Sequence, residues 1–214
     1  MNILVIAAHP GDEVLGMGGT IKKLAKQGHN LHLCSVTEGA SAQYSDEKMI
    51  EIRKESCIKS GKILGISNFE FFDFPDMRLD SIPQLEINKK IENLIRKLKP
   101  QIIYTTPNND YNEDHKIVYE STLVAARPIS NFITQIFSYE IPNYTKTPFE
   151  ANVYENISKE FTTKIKAFKQ YKSEVRKMPH PRSFEYIEAL AKLRGMESGF
   201  LKAEAFRLIR HSKN

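Results

Sequence analysis

The sequence predicts an α/β fold built on a mostly parallel central sheet, and three features of its 214 residues carry that reading. Short apolar runs rich in β-branched residues recur along the chain, segments with apolar residues at helical spacing separate them, and the links are short. Strand, helix and strand in that rhythm imply right-handed crossovers and a sheet covered by helices on both faces.

The first run, Ile3 to Ala8, reads as a buried parallel strand. Leu15 to Gln27 follows as an amphipathic helix, with Leu15, Ile21, Leu24 and Ala25 apolar among lysines and Gly28 ending it. Asn30 to Thr37 is a second strand, and Glu47 to Leu64 a helix with Ile50, Ile58 and Leu64 apolar, closed by Gly65. Phe69 to Phe74 is a third strand, Pro75 to Asp80 a polar loop, Ile87 to Leu98 a helix stopped by Pro100, and Gln101 to Thr106 a fourth strand. After the loop PNNDYNEDH comes a helix, His115 to Ala126, that halts before Pro128, then a strand, Thr134 to Glu140. Ile141 to Asn156, with two prolines, reads as a long connection. Ser158 N-caps a helix running to Tyr171, and the prolines flanking His180 break helix between Met178 and Ser183. Phe184 to Arg194 and Lys202 to Arg210 are read as closing helices. Residues 1–214 are thus expected to form one domain, with 1–140 as the α/β core and 141–214 as a connection and C-terminal helices packed on it.

Composition narrows the function classes. Hydrophobic residues at 41% and charged residues at 27% lie near globular averages and argue against wholesale disorder. The net charge of +5 raises the question of nucleic acid, but the lysines are spread over helix faces with acids between them, and no basic run alternates with aromatics. We therefore expect no nucleic-acid partner. No apolar stretch approaches the roughly 20 residues of a membrane span, and the N-terminus lacks the pattern of a signal peptide. Two cysteines, Cys34 and Cys57, provide no disulfide framework. A cytoplasmic protein is the expectation, with self-association left open.

The chemistry concentrates after the first strand. His9 and Asp12, three residues apart, leave its C-terminal edge on a tight turn, and ligands of open α/β sheets bind at that edge. A catalytic metal site needs about three protein ligands and an open position, so a third ligand is sought at another strand end. His115, closing the acidic loop after the fourth strand, is the best placed; His29 and His32 lie at the opposite edge and His211 in the tail. Two histidines and a carboxylate suit zinc; the alternative reading makes His9 and His115 ordinary loop residues capping helices. Arg53 and Arg182 are candidates for holding oxygen pairs of a substrate, since a guanidinium presents a fork of donors. His180, in its proline-flanked loop, is a candidate contact to substrate, from this chain or a neighbouring subunit. Gly16-Met17-Gly18-Gly19 is not a dinucleotide turn, because no G-x-G-x-x-G register fits.

The run Ala8-His9-Pro10-Gly11-Asp12-Glu13 with Val14-Leu15-Gly16-Met17-Gly18-Gly19-Thr20 resembles the first signature of the LmbE/PIG-L family of zinc-dependent de-N-acetylases, usually Ala-His-Pro-Asp-Asp-Glu. The resemblance extends through Arg53-Lys54-Glu55, Leu64-Gly65, Asn112-Glu113-Asp114-His115, Pro179-His180-Pro181-Arg182-Ser183, Arg194-Gly195 and Ala203-Glu204-Ala205-Phe206. It implies a Rossmann-like three-layer fold, zinc held by His9, Asp12 and His115, and hydrolysis of the acetamide of an amino sugar or sugar-containing metabolite, with Arg53, Asp110, His180 and Arg182 as substrate contacts. Where the family places its general base, this chain has Gly11. Glu13, Asp110 and Asp114 are candidates to replace it, Asp114 alternatively orienting a ligand histidine. Asn112 stands where the family often has a histidine; it can donate a hydrogen bond to an oxyanion but cannot shuttle a proton near neutral pH. The competing reading is a metal-holding, ligand-binding protein on the same scaffold without turnover.

Overall fold

The computed structural model describes residues 1–128 and 131–213. Its elements are β1 (Asn2–Ala7), α1 (Asp12–Lys26), β2 (Asn30–Thr37), α2 (Lys48–Leu64), β3 (Asn68–Phe74), α3 (Gln84–Leu98), β4 (Ile102–Thr105), α4 (Glu113–Ala125), β5 (Gln135–Tyr139), β6 (Val153–Asn156), α5 (Phe161–Phe168), α6 (Phe184–Ser198) and β7 (Ala203–His211), with a short 3-10 turn at Leu79–Ser81. The seven strands form one sheet in the order β3-β2-β1-β4-β5-β7-β6. The five strands from β3 to β5 run parallel, while β7 pairs antiparallel with both β5 and β6.

β1 is central because every residue from Ile3 to Ala7 is apolar and buried, so both of its faces can be covered. Ile3, Val5 and Ala7 join Val14, Leu15 and Ile21 of α1 with residues of α2, α5 and α6; Leu4 and Ile6 join Ile87 and Ile91 of α3 and Val118 of α4. Fully burying such a side chain contributes about 1.5–3 kcal/mol, which makes two-sided coverage the dominant stabilising feature. The sheet order reverses direction between β1 and β4, and the carboxyl ends of those two strands frame the crevice where such sheets bind ligands.

Three expectations fail in the C-terminal part. Lys202–Arg210 is not a helix: Ala203–His211 is a strand inserted between β5 and β6. Its Lys, Glu and Ala content favours helix locally, but pairing on both edges overrides that preference. The connection 141–156 ends in a strand, Val153–Asn156, whose polar, half-buried composition gave no apolar run to detect. Ser158 does not cap a helix; its hydroxyl donates to Asn156 Oδ1 at 2.7 Å, and α5 begins at Phe161. The side-chain cap falls instead on Ser183, which accepts from the Tyr186 amide at 3.2 Å and starts α6.

Helix α1 lies close to its neighbours because it is rich in glycine. A Cβ added at Gly19 would stand 2.7 Å from Ile157, and one at Gly16 would overlap the Tyr139 ring. The helix is broken at Met17 (φ −142°, ψ 24°). Glu204 of β7 meets the amides beyond the break, accepting from Gly19 at 2.9 Å and from Thr20 at 2.7 Å, and from the Thr20 hydroxyl at 2.6 Å. Buried Lys164 of α5 completes the cluster with Nζ 2.7 Å from Glu204 Oε1.

Candidate metal centre

The turn after β1 is tight because Gly11 takes a left-handed conformation (φ 119°, ψ −26°) that side-chain-bearing residues rarely adopt. This turn carries His9 and Asp12 off the strand end together, and the Asp12 carboxylate folds back to accept the His9 amide at 2.8 Å. The loop after β4 brings His115 to the same place, in the first turn of α4, which Asn112 caps by accepting the Asp114 amide at 3.0 Å.

The three side chains converge. Asp12 Oδ2 lies 3.3 Å from His9 Nδ1 and 3.3 Å from His115 Nε2, and the imidazole centroids are 5.2 Å apart. Two donors bound at ~2.0–2.1 Å with a tetrahedral angle stand about 3.3 Å apart, so these spacings fit a single zinc-sized cation. A second observation agrees. His115 Nε2 is buried without a hydrogen-bond partner, an uncommon and costly state unless the nitrogen serves as a ligand. The grouping His9, Asp12 and His115 has its ligand atoms within 4.8 Å of one another, as has a second grouping of His9, Asp76 and Asp114.

The two groupings differ in what already holds their carboxylates. Asp114 accepts from the amides of Met77 and Leu79 at 2.9 and 3.1 Å and meets His9 Nε2 at 3.1 Å. It is therefore anchored as the carboxylate that fixes the far nitrogen of His9, leaving Nδ1 toward Asp12. Asp110 does the same for His115, contacting Nδ1 at 2.5 Å while also taking the Asn112 amide at 2.9 Å. Each histidine thus has one nitrogen held by an outer carboxylate and the other turned to Asp12.

Electrostatics follow from this enclosure. Burial alone would lower the pKa of His9, but the hydrogen bonds to Asp114 and Asp12 win and raise it to about 9. Burial likewise opposes the charged form of His115, and Asp12 and Asp110 carry it up to about 10. Asp12 itself is held well below the usual carboxylate range: its burial is outweighed by the two imidazoles. Four carboxylates, those of Asp12, Asp76, Asp110 and Asp114, face two imidazoles, a donor set that a divalent cation would neutralise while displacing the histidine protons.

The other sequence candidates sit around this centre with defined partners. Glu13 is fully buried, with Oε1 receiving the Tyr171 hydroxyl at 2.6 Å and Oε2 the Gly11 amide at 2.8 Å; burial pushes its pKa up to about 7. Both of its oxygens are engaged in shaping the turn. Arg53 Nε donates to the Pro10 carbonyl at 3.0 Å, and its guanidinium pairs with Glu174, which pairs through its other oxygen with Arg182. His180 Nδ1 accepts the Arg182 amide at 3.0 Å. The side-chain Nδ2 of Asn112 has no protein partner among the described residues, its backbone amide being taken by Asp110.

Two residues escaped the sequence reading. Asp76, after β3, is buried with Oδ1 3.3 Å from His9 Nε2, and no backbone amide anchors its carboxylate among the described residues. Its signal was positional only, a carboxylate at a third strand end of the same edge. Glu174, buried between the two arginines, had no local signal. The larger cavities, about 310 and 290 Å³ along β3 and α3, are lined by neither His9 nor His115 and contain none of these groups.

Fold and cluster together define an α/β protein with a two-histidine, one-carboxylate centre at the switch point of its sheet. Comparison with known proteins makes this specific: the family model described as PIG-L, GlcNAc-PI de-N-acetylase, matches residues 4–126, and the chain belongs to that family. It is 34% identical over 180 residues to the uncharacterized deacetylase YaiS of Escherichia coli (strain K12), a match covering 80% of this chain and 90% of the relative. It is 28% identical to the diacetylchitobiose deacetylase of Thermococcus kodakarensis, covering 97% and 82%. Among solved structures, N,N'-diacetylchitobiose deacetylase from Pyrococcus horikoshii has the same fold, with a TM-score of 0.83 at 22% identity, covering 98% of this chain and 84% of that one.

Proposed function

We propose that this chain is a zinc-dependent hydrolase that removes the acetyl group from an N-acetylated amino sugar or sugar-containing metabolite. The convergence of His9 Nδ1, Asp12 Oδ2 and the orphaned His115 Nε2 at the switch point carries the reading, and family membership with deacetylase relatives supports the chemistry. Zinc, when bound, supplies a Lewis acid for the amide carbonyl and makes water acidic enough to attack near neutral pH. Asp110 and Asp114 hold the ligand imidazoles in register. The Asn112 side-chain Nδ2, without a protein partner among the described residues, is the donor we assign to an oxyanion. Asp76 is the carboxylate left to contact substrate or solvent, since Glu13 and Asp114 are committed to the turn and to the β3–α3 loop. Arg182, less buried than Arg53, presents the guanidinium to the substrate's oxygens while Arg53 braces the Pro10 carbonyl. Among the described residues no helix is long and apolar enough to cross a membrane; a cytoplasmic location is part of this proposal.

The competing reading, a metal-holding binding protein without turnover, rests on Gly11. Metal content of the purified protein together with amine release from N-acetylated amino sugars decides between them. About one zinc per chain with amine release establishes the hydrolase; zinc without release favours the binding protein; no metal after metal-replete purification refutes both.

Gly11→Asp gives a sharper test. A Cβ at this position has room, with the nearest atoms of the Tyr171 ring at 3.7 Å. The backbone is the obstacle, since a left-handed conformation costs an L-residue about 1–2 kcal/mol. The substitution should lower the melting temperature slightly yet raise amine release toward the ~10²–10⁴-fold that a positioned base contributes. An unchanged rate in a folded, zinc-loaded variant would exclude Gly11 as the cause of weak catalysis.

A further inference from the structure

One peptide unit in the turn between His9 and Asp12 is held at both of its ends by buried side chains. The Asp12 amide donates to the His9 carbonyl at 3.2 Å, which closes a four-residue turn with Pro10 and Gly11 at its centre. Proline followed by glycine at positive φ is the arrangement of a type II turn. A type I turn differs from it chiefly by a half-rotation of the central peptide unit. Pro-Gly fits either, because proline at the first central position suits both types and glycine takes φ of either sign. The residues of the turn alone therefore do not hold that peptide plane.

Their surroundings do. The Pro10 carbonyl accepts from Arg53 Nε at 3.0 Å, and the Gly11 amide donates to Glu13 Oε2 at 2.8 Å, so each end of the Pro10–Gly11 peptide unit carries one side-chain hydrogen bond. Both partners are braced by a single short stretch after α5. The Tyr171 hydroxyl donates to Glu13 Oε1 at 2.6 Å, and Glu174 pairs with the Arg53 guanidinium. The Glu174 amide donates to the Tyr171 carbonyl at 2.8 Å, which sets the two braces on one turn of backbone. Tyr171 and Glu174 are both buried, and the Arg53 guanidinium lies over the Tyr171 ring, 5.8 Å from its centroid. A half-rotation of the peptide would take from Glu13 and Arg53 the bonds they make to it, at the cost of leaving buried polar groups unpaired.

We infer that Tyr171 and Glu174 are positioning residues that lock the Pro10–Gly11 peptide plane through Glu13 and Arg53, and that the locked turn sets where Asp12 meets the two imidazoles. The inference rests on the reading of His9, Asp12 and His115 as metal ligands and adds the part of the chain that fixes the middle one. The lock matters here because position 11 is glycine, which by itself leaves both peptide orientations open. A carboxylate oxygen bound to zinc stands ~2.0–2.2 Å from it, so a turn divided between two orientations weakens the site.

The test reads the turn and the metal separately, in Tyr171→Phe, which keeps the ring and removes the hydroxyl, and in Glu174→Gln, which opens the other brace. In the full-length protein, with and without zinc, the Gly11 amide hydrogen should exchange slowly in wild type and about tenfold faster or more in each variant, as expected when one strong hydrogen bond leaves the lock. Zinc affinity should fall by about tenfold, the low end of the range for residues that support a ligand. Tyr139→Phe controls for the loss of a buried hydroxyl as such. It removes an equally buried phenol that donates to the Ile6 carbonyl at 2.9 Å, and should lower stability while leaving both readouts unchanged. An unprotected Gly11 amide in wild type, unchanged exchange or zinc affinity in either folded variant, or equal losses in Tyr139→Phe would overturn the inference. Failure of the metal reading shows separately, as a wild type that binds no zinc although its Gly11 amide is protected.

Discussion

His115→Ala should leave the purified protein with far less than one equivalent of zinc and reduce amine release by about 10³-fold or more. Loss of a partner outside the ligand set already costs about 10–100-fold in metal affinity or activity, and loss of a ligand removes one of only three protein contacts to the cation. The variant has a second consequence. It leaves the buried carboxylates of Asp12 and Asp110 facing each other without the imidazole that separates them, 3.3 and 2.5 Å from its nitrogens. A metal-free sample would then be harder to fold, so His115→Gln, which keeps a polar side chain of similar reach, is the companion variant. Elemental analysis of both, with circular dichroism to confirm the fold, reads the result. Retention of one zinc per chain by a folded His115→Ala protein would refute the ligand assignment. Asp110→Asn gives the graded case: it keeps a hydrogen-bond partner for His115 Nδ1 but removes the charge, and should fall in the 10–100-fold range.

The parts of this centre differ in how far the sequence exposed them, and the reason is physical. His9 and Asp12 were legible because a continuous apolar run fixes where β1 ends, and the next few residues then have to emerge at the sheet's carboxyl edge. His115 was legible by the same logic from β4. The parallel half of the sheet followed from hydrophobic period alone. β7 did not, because a strand paired on both edges takes its stability from neighbours distant in sequence, and Ala-Glu-Ala-Phe-Arg read locally is a helix. The roles of Arg53 and Arg182 were open for a similar reason. Each was a candidate fork for substrate oxygens, but their common partner Glu174 lies 121 and 8 residues away from them in the chain, and only the tertiary fold shows that one carboxylate engages both. Asp110, read as a substrate contact and as a replacement base, is held against His115 Nδ1, a pairing that depends on the cap at Asn112 bending the loop back on its own helix.

Glu204→Ala should destabilise the fold by about 3–5 kcal/mol, the range for removing one partner of a buried ion pair. The argument begins at Met17, where the helix breaks and the amides of Gly19 and Thr20 lose the partners a continuous helix would give them. Glu204 accepts both, takes the Thr20 hydroxyl, and neutralises Lys164, itself only 4% exposed. Alanine would therefore leave one buried charge and several buried donors without partners at a stroke. For a chain of this size the loss corresponds to a melting temperature lower by roughly 6–20 °C. Chemical denaturation reads it directly, and a loss below about 1 kcal/mol would show that the cluster relaxes or hydrates instead. Adding Lys164→Met to Glu204→Ala should recover part of the loss, because the uncompensated charge is then gone while the unpaired amides remain. The effect should reach the metal centre as well. Asp12 and Glu13 occupy the first turn of the short helical segment before the break, and the Glu204 cluster ties the segment after it to β7 and α5. A folded Glu204→Ala protein should therefore bind zinc more weakly than wild type although no ligand has changed, and equal affinity would show that β1 and the Gly11 turn alone fix the position of Asp12.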